Sequence, residues 1–139
     1  MKAVILAAGE GNRMRPLTYT RPKVMIPIAN KPILEHLVIA TREAGISEFV
    51  FVVGYRDEQV RDYFGGGERW GVKIEYCNQK KQLGTADALR MVEGRVDGSF
   101  LMMNGDIIVN TADIKKVIDK GGCALGMIEV KDAAGLGVI

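Results

Sequence analysis

Apolar residues in this chain fall into two alternating patterns. Residues 3–6 (Ala-Val-Ile-Leu), 49–53 and 100–103 are short unbroken apolar runs, and residues 72–77 form a strand-length stretch rich in β-formers. Between them lie segments in which apolar side chains recur at helical spacing. Ile33, Leu34, Leu37, Val38 and Ala40 make one such face, with Pro32 suited to its first turn and Gly45 to its stop. Residues 57–64 read as a short helix closed by Gly65-Gly66-Gly67. A third helix is expected over residues 86–92 with Thr85 as its cap, and a fourth from Thr111 to Asp119. Gly121-Gly122 then turns the chain toward a strand over residues 124–130, and Gly137-Val138-Ile139 begins another extended piece. Strands alternating with helices predict an α/β fold, a Rossmann-like, doubly wound and mostly parallel sheet with helices on both faces. In such sheets ligands bind beyond the carboxyl ends of the strands, where the strand order switches.

A chain of 139 residues makes one domain and is long enough for a real core. Nineteen basic and seventeen acidic residues leave a net charge of +2, which is no nucleic-acid footprint. No apolar run approaches the roughly 20 residues of a membrane-spanning helix, and the N-terminus enters a strand at once, without a signal peptide. Cys77 and Cys123 have no zinc-like spacing and read as reduced core thiols of a cytoplasmic protein. Met102 and Met103 read as core filler, and His36, on the first helix and away from the strand tips, as structural.

Charge matters here by its clustering. Residues 6–32 read LAAGEGNRMRPLTYTRPKVMIPIANKP, and no acidic residue stands between Gly11 and Leu34. Gly9 and Gly11 end the first strand. Arg13, Arg15, Arg21, Lys23 and Lys31 follow, and all four prolines of the chain lie within the run. Glycine lets backbone N–H groups come close to an anion, and guanidinium and ammonium groups neutralise it. The prolines exclude helix and favour an extended path. The segment therefore suits a polyphosphate laid on the tip of the first strand, although it is neither a G-x-G-x-x-G fingerprint nor a P-loop.

Two further clusters fall on the same edge. Residues 78–88, NQKKQLGTADA, place Gln79, Gly84 and Thr85 after the third strand. Gln79 offers an amide to a pyrimidine edge or is a solvated loop residue; Thr85 is a hydroxyl donor or a plain helix cap. Asn104-Gly105-Asp106 follows the fourth strand. Asp106 is either an oxygen ligand for a hard divalent ion or an ordinary turn residue. Lys31 reaches phosphate or serves the helix after it.

Taken together, LAAGEGNRMRPLT, PKVMIP and KPIL resemble the signature of the sugar-1-phosphate nucleotidyltransferases, with Asn12 in place of the usual Thr and Met14 in place of Leu. The resemblance implies the nucleotide-diphospho-sugar transferase fold and transfer of a nucleoside monophosphate from an NTP, UTP or dTTP first, to a sugar 1-phosphate. It implies Leu6, Ala7, Ala8, Gly9, Gly11, Gln79, Gly84 and Thr85 as the nucleotide seat, Arg13 and Lys23 as the catalytic cations, and Asp106 as the Mg2+ ligand. Gly137 matches a sugar-side glycine, but Leu136 replaces the tyrosine before it. The family's downstream Glu-Lys-Pro segment and second metal ligand find no match, so residues 1–139 are expected to be the nucleotide-binding part of a truncated catalytic domain. The competing expectation is a non-catalytic nucleotide- or phosphosugar-binding module, or an inactive fragment. An incomplete sheet would expose an edge and invite homo-oligomers.

Overall fold

The computed structural model describes residues 1–81, 83–127, 129 and 130. Four strands make one sheet: β1 (Lys2–Ala7), β4 (Glu48–Val53), β5 (Lys73–Asn78) and β6 (Phe100–Asn104). Their order is β5-β4-β1-β6, and every pairing is parallel. Val4 sits opposite Val50 on one side and Met102 on the other, so the most continuous apolar run of the chain becomes an interior strand. Strands buried on both faces need apolar residues at every position. The chain moves outward from β1 to β4 to β5, then crosses back to set β6 on the far side of β1. The strand order therefore reverses between β1 and β6.

Helices cover both faces, as the alternating pattern predicts. On one face α1 (Ile33–Glu43), α2 (Asp57–Phe64) and α4 (Thr111–Lys120) close over Ala3, Ile5, Ala7, Phe49, Phe51 and Val53. Phe51, Phe64, Tyr63 and Trp70 pack edge-on or tilted at centroid distances of 4.9–5.8 Å, arrangements that aromatic quadrupoles favour. On the other face α3 (Thr85–Arg90) and the turn after it bring Ala88 and Val92 onto Val4, Val50, Val52 and Cys77. Beneath α1, the Glu35 carboxylate is 3% exposed and accepts from the Tyr63 hydroxyl at 2.6 Å. Burial pushes Glu35 up, but Tyr63, Trp70, Lys31 and Arg69 outweigh it and hold the carboxyl below its ordinary value.

Several expectations are corrected. The proline-rich run is not simply extended. It folds into two 3₁₀ turns, Asn12–Met14 and Lys23–Met25, and a small antiparallel hairpin of β2 (Pro27–Ile28) and β3 (Lys31–Pro32). Proline tolerates these turns because they spare its missing N–H. Ala29 and Asn30 take positive φ at the hairpin tip, and His36 Nε2 lies 2.9 Å from Ile28 O, which ties the hairpin to α1. Lys31 pairs with Glu35 at 3.8 Å. Pro32 precedes α1 instead of opening its first turn. Gly84, not Thr85, stands at the cap of α3; Asn110, not Thr111, caps α4, its Oδ1 accepting from Asp113 N at 2.9 Å. Residues 124–127, 129 and 130 form no strand. Met102 is 41% exposed, because the second face beside β6 lacks a covering helix among the described residues, and Cys123 is exposed in the bend after α4 rather than buried on a strand. Cys77 is buried, and burial pushes its thiol up, which keeps it unreactive. Residues 137–139, including Gly137, lie outside the described residues. No helix of the described residues is long and apolar enough to cross a membrane.

Candidate functional site

The sheet's reversal point dictates where the chemistry gathers. Beyond Leu6 the β1 backbone runs into Ala7-Ala8-Gly9, and beyond Asn104 the β6 backbone runs into Gly105-Asp106. The two tips are stitched: Gly105 N donates to Leu6 O at 2.8 Å. Glycine suits the position, because a Cβ would stand 3.0 Å from Val24 Cγ1 and 3.1 Å from Leu6 O, so a larger residue would push these neighbours aside. The side chain that follows, Asp106, is thereby held at the mouth of the β1–β6 crevice.

A cavity of about 540 Å³ opens at these tips, lined by Leu6, Ala7, Ala8, Gly9, Arg13, Lys23, Val24, Gln79, Gly84, Thr85, Ala88, Asn104 and Asp106. Residues from four separate stretches of sequence thus share one concave surface, and almost all the sequence-predicted site residues are among them. Gly11 is not in the lining. Its φ of 66° is left-handed, and a Cβ would stand 2.9 Å from Lys23 Cβ. Gly11 lets the basic loop fold back on itself: its carbonyl accepts from Thr18 Oγ1 at 2.9 Å and from Met14 N at 2.8 Å. Gly137 falls outside the described residues.

The charges within the cavity are unequal. Arg13 projects from the first 3₁₀ turn, exposed, with no ion pair or hydrogen bond among the described residues. Lys23, from the second turn, donates through Nζ to Asp106 Oδ2. Among the described residues Asp106 is the one carboxylate in the lining. Among the described residues no group of three or more His, Cys, Asp or Glu side chains is placed to cage a metal. Gln79 is 5% exposed, its Nε2 donating to Asp87 Oδ2 at 2.8 Å and to Gly84 O at 3.3 Å.

Sequence reading missed what holds the basic loop in place. Tyr55 OH lies 3.1 Å from Thr18 O and 3.3 Å from Tyr19 O; Arg56 Nη2 donates to Tyr19 O at 3.1 Å, and Gln59 Nε2 to Thr20 O at 2.8 Å. Three side chains at the β4–α2 junction thus clasp three successive carbonyls. Arg56 takes a left-handed φ of 49° to do so. Nothing in the local pattern marks these residues, since their partners lie 36–39 positions away. Val24, Ala88 and Asn104 were given no role, although all three lie inside the stretches that were singled out.

Comparison with known proteins adds the following. A family model described as nucleotidyl transferase matches residues 2–139. The chain is 45% identical over 139 residues to the bifunctional protein GlmU of Methanococcus vannielii, covering 100% of this chain and 32% of that one. It is 44% identical over 110 residues to the UTP–glucose-1-phosphate uridylyltransferase AglF of Haloferax volcanii, covering 79% and 45%. Among solved structures, a UDP-glucose pyrophosphorylase complexed with UDP-glucose superposes with a TM-score of 0.74 at 26% identity, over 86% of this chain and 52% of that one. The chain thus spans about a third to a half of the length of these relatives.

Proposed function

The chain belongs to the nucleotidyl transferase family, and from that premise we propose that its cavity seats a nucleoside triphosphate, UTP or dTTP, for transfer of the nucleoside monophosphate to a sugar 1-phosphate. The observation that carries this reading is the meeting of Arg13, Lys23, the Leu6–Gly9 backbone and Asp106 around one cavity at the sheet's reversal point. A phosphate oxygen of the sugar 1-phosphate attacks the α-phosphorus. The bond from that phosphorus to the oxygen bridging it to the β-phosphate breaks, and pyrophosphate leaves. Two anions must approach, so catalysis is positioning and electrostatic stabilisation.

In this reading the backbone of residues 6–9 meets the nucleotide, and Gln79, Gly84 and Thr85 meet its base. Arg13, without an ion pair or hydrogen bond among the described residues, stabilises the departing pyrophosphate. Lys23 neutralises charge at the α-phosphoryl group or the incoming phosphate. Mg2+ takes one or two carboxylates and completes its shell with phosphate oxygens and water, and a lining whose described residues include one carboxylate fits an ion that arrives with the triphosphate. Asp106 would hold it; when bound, it supplies charge neutralisation to the phosphates.

The test is pyrophosphate release with each NTP across several sugar 1-phosphates. Turnover is expected with UTP or dTTP, and Arg13→Ala should lower kcat by about two to three orders of magnitude. A nucleotide-dependent thermal shift with no turnover would instead assign a binding module.

A further inference from the structure

Gln79 is the side chain in the cavity with the fewest choices. Its backbone is fixed on both sides: its N–H donates to Val53 O at 2.8 Å, and its carbonyl lies against Gly54, where a Cβ would come within 3.1 Å. Its amide carries two N–H groups and one acceptor oxygen. Both N–H groups are committed, one to the Asp87 carboxylate and one to Gly84 O. The orientation follows from chemistry. Turning the amide over would set Oε1 against a carboxylate and a carbonyl, acceptor against acceptor. Among the described residues nothing donates to Oε1. Thr41 Oγ1 is the one buried side-chain polar atom without a partner among them, so Oε1 remains reachable. What Gln79 can still offer a ligand is an acceptor, not the paired donor and acceptor of a free amide.

We infer that Asp87 is a positioning residue for base selection: by locking the Gln79 amide, it presents Oε1 to the base and favours uracil or thymine over cytosine. This rests on the reading of the cavity as a nucleotide site. Uracil and thymine carry a donor at ring position 3; cytosine carries a lone pair there, which repels Oε1. Asp87 does not line the cavity and acts only through Gln79. It occupies the first turn of α3 and is partly exposed, so an isosteric change there leaves the packing intact.

The experiment is equilibrium binding of UTP, dTTP and CTP, each with Mg2+, to the full chain and to Asp87→Asn, with circular dichroism to show that the variant folds. Asparagine meets either orientation of the Gln79 amide at its own contact, which leaves the longer 3.3 Å contact with Gly84 O as the one restraint against turning among the described residues. The native chain should prefer UTP and dTTP to CTP by about tenfold, the order expected when a buried acceptor is left facing another acceptor. In Asp87→Asn that ratio should narrow to about twofold or threefold, chiefly through gain of CTP affinity. Asp87→Ala, which frees one N–H, should narrow it too and serves if the first variant misfolds. A native chain indifferent to the base, or a preference kept unchanged in both variants, overturns the inference while the nucleotide site stands. A folded native chain that binds none of the three removes both.

Discussion

Lys23 Nζ donates to Asp106 Oδ2, joining a 3₁₀ turn of the basic loop to the tip of β6 across 83 residues of sequence. Each side chain is about one-third exposed, 34% for Lys23 and 30% for Asp106. A pair this open to water is worth at most about 1 kcal/mol, so either partner can be exchanged for a better one: a phosphate for Lys23, a divalent cation for Asp106. Lys23→Met should therefore raise the affinity of the nucleotide-free chain for Mn2+ or Mg2+ by up to about fivefold, and should weaken triphosphate binding. Calorimetric titration reads both. Unchanged cation affinity would mean that the pair does not compete with the ion.

Gly11→Ala should destabilise the fold although Gly11 itself is not in the cavity lining. The new methyl meets Lys23 Cβ at 2.9 Å and Thr18 Cγ2 at 3.0 Å, and the residue keeps a left-handed φ. A cost of about 1–3 kcal/mol follows, which lowers Tm by roughly 4–10 °C in a domain this size. Thermal melts followed by circular dichroism check it.

Tyr55→Phe removes the hydroxyl that meets two carbonyls of the basic loop. Global stability should fall by only about 0.5–1.5 kcal/mol, but amide exchange over residues 15–21 should accelerate, since a clasp gone from a surface loop lowers its local opening free energy. Nucleotide affinity should drop with it, because Arg13 and Lys23 ride on that loop. Exchange unchanged in the loop would show that Arg56 and Gln59 suffice.

Glu35 gives the molecule an acid-side weakness. Its carboxyl titrates lower in the folded state than in the unfolded chain, so the stability it contributes is present above the unfolded value of about 4.3 and is lost as pH falls through the folded one. Glu35→Gln removes that dependence. Melts between about pH 6 and pH 3 should fall less steeply for the variant than for the native protein. Parallel slopes would assign the acid sensitivity to other carboxylates.

The strands and helices were legible because each is a local periodicity: 49–53 could only be a covered strand, and Leu34, Leu37 and Val38 only a helix face. The failures have local causes as well. Thr85 and Thr111 looked like caps because threonine is a good one, but the residues before them, Gly84 and Asn110, took the position. Met102 looked like core because a run of four apolar residues suggests two covered faces, and β6 is covered on one.

The chain's own residues determined the alternating α/β plan, the basic glycine loop and the family signature, since patterning, turn chemistry and a contiguous motif all act over short stretches. Tertiary structure alone decided that β6 returns to the flank of β1, that Lys23 closes on Asp106, that Tyr55, Arg56 and Gln59 hold the loop, and that Asp87 takes the Gln79 amide. Most of these couple stretches that the sequence separates by tens of residues. The Gln79–Asp87 bond, though only eight positions long, depends on how α3 seats on the sheet. Hydrogen bonds and charges are directional and short-ranged, so their partners are fixed only when the packed core has brought the strand tips together.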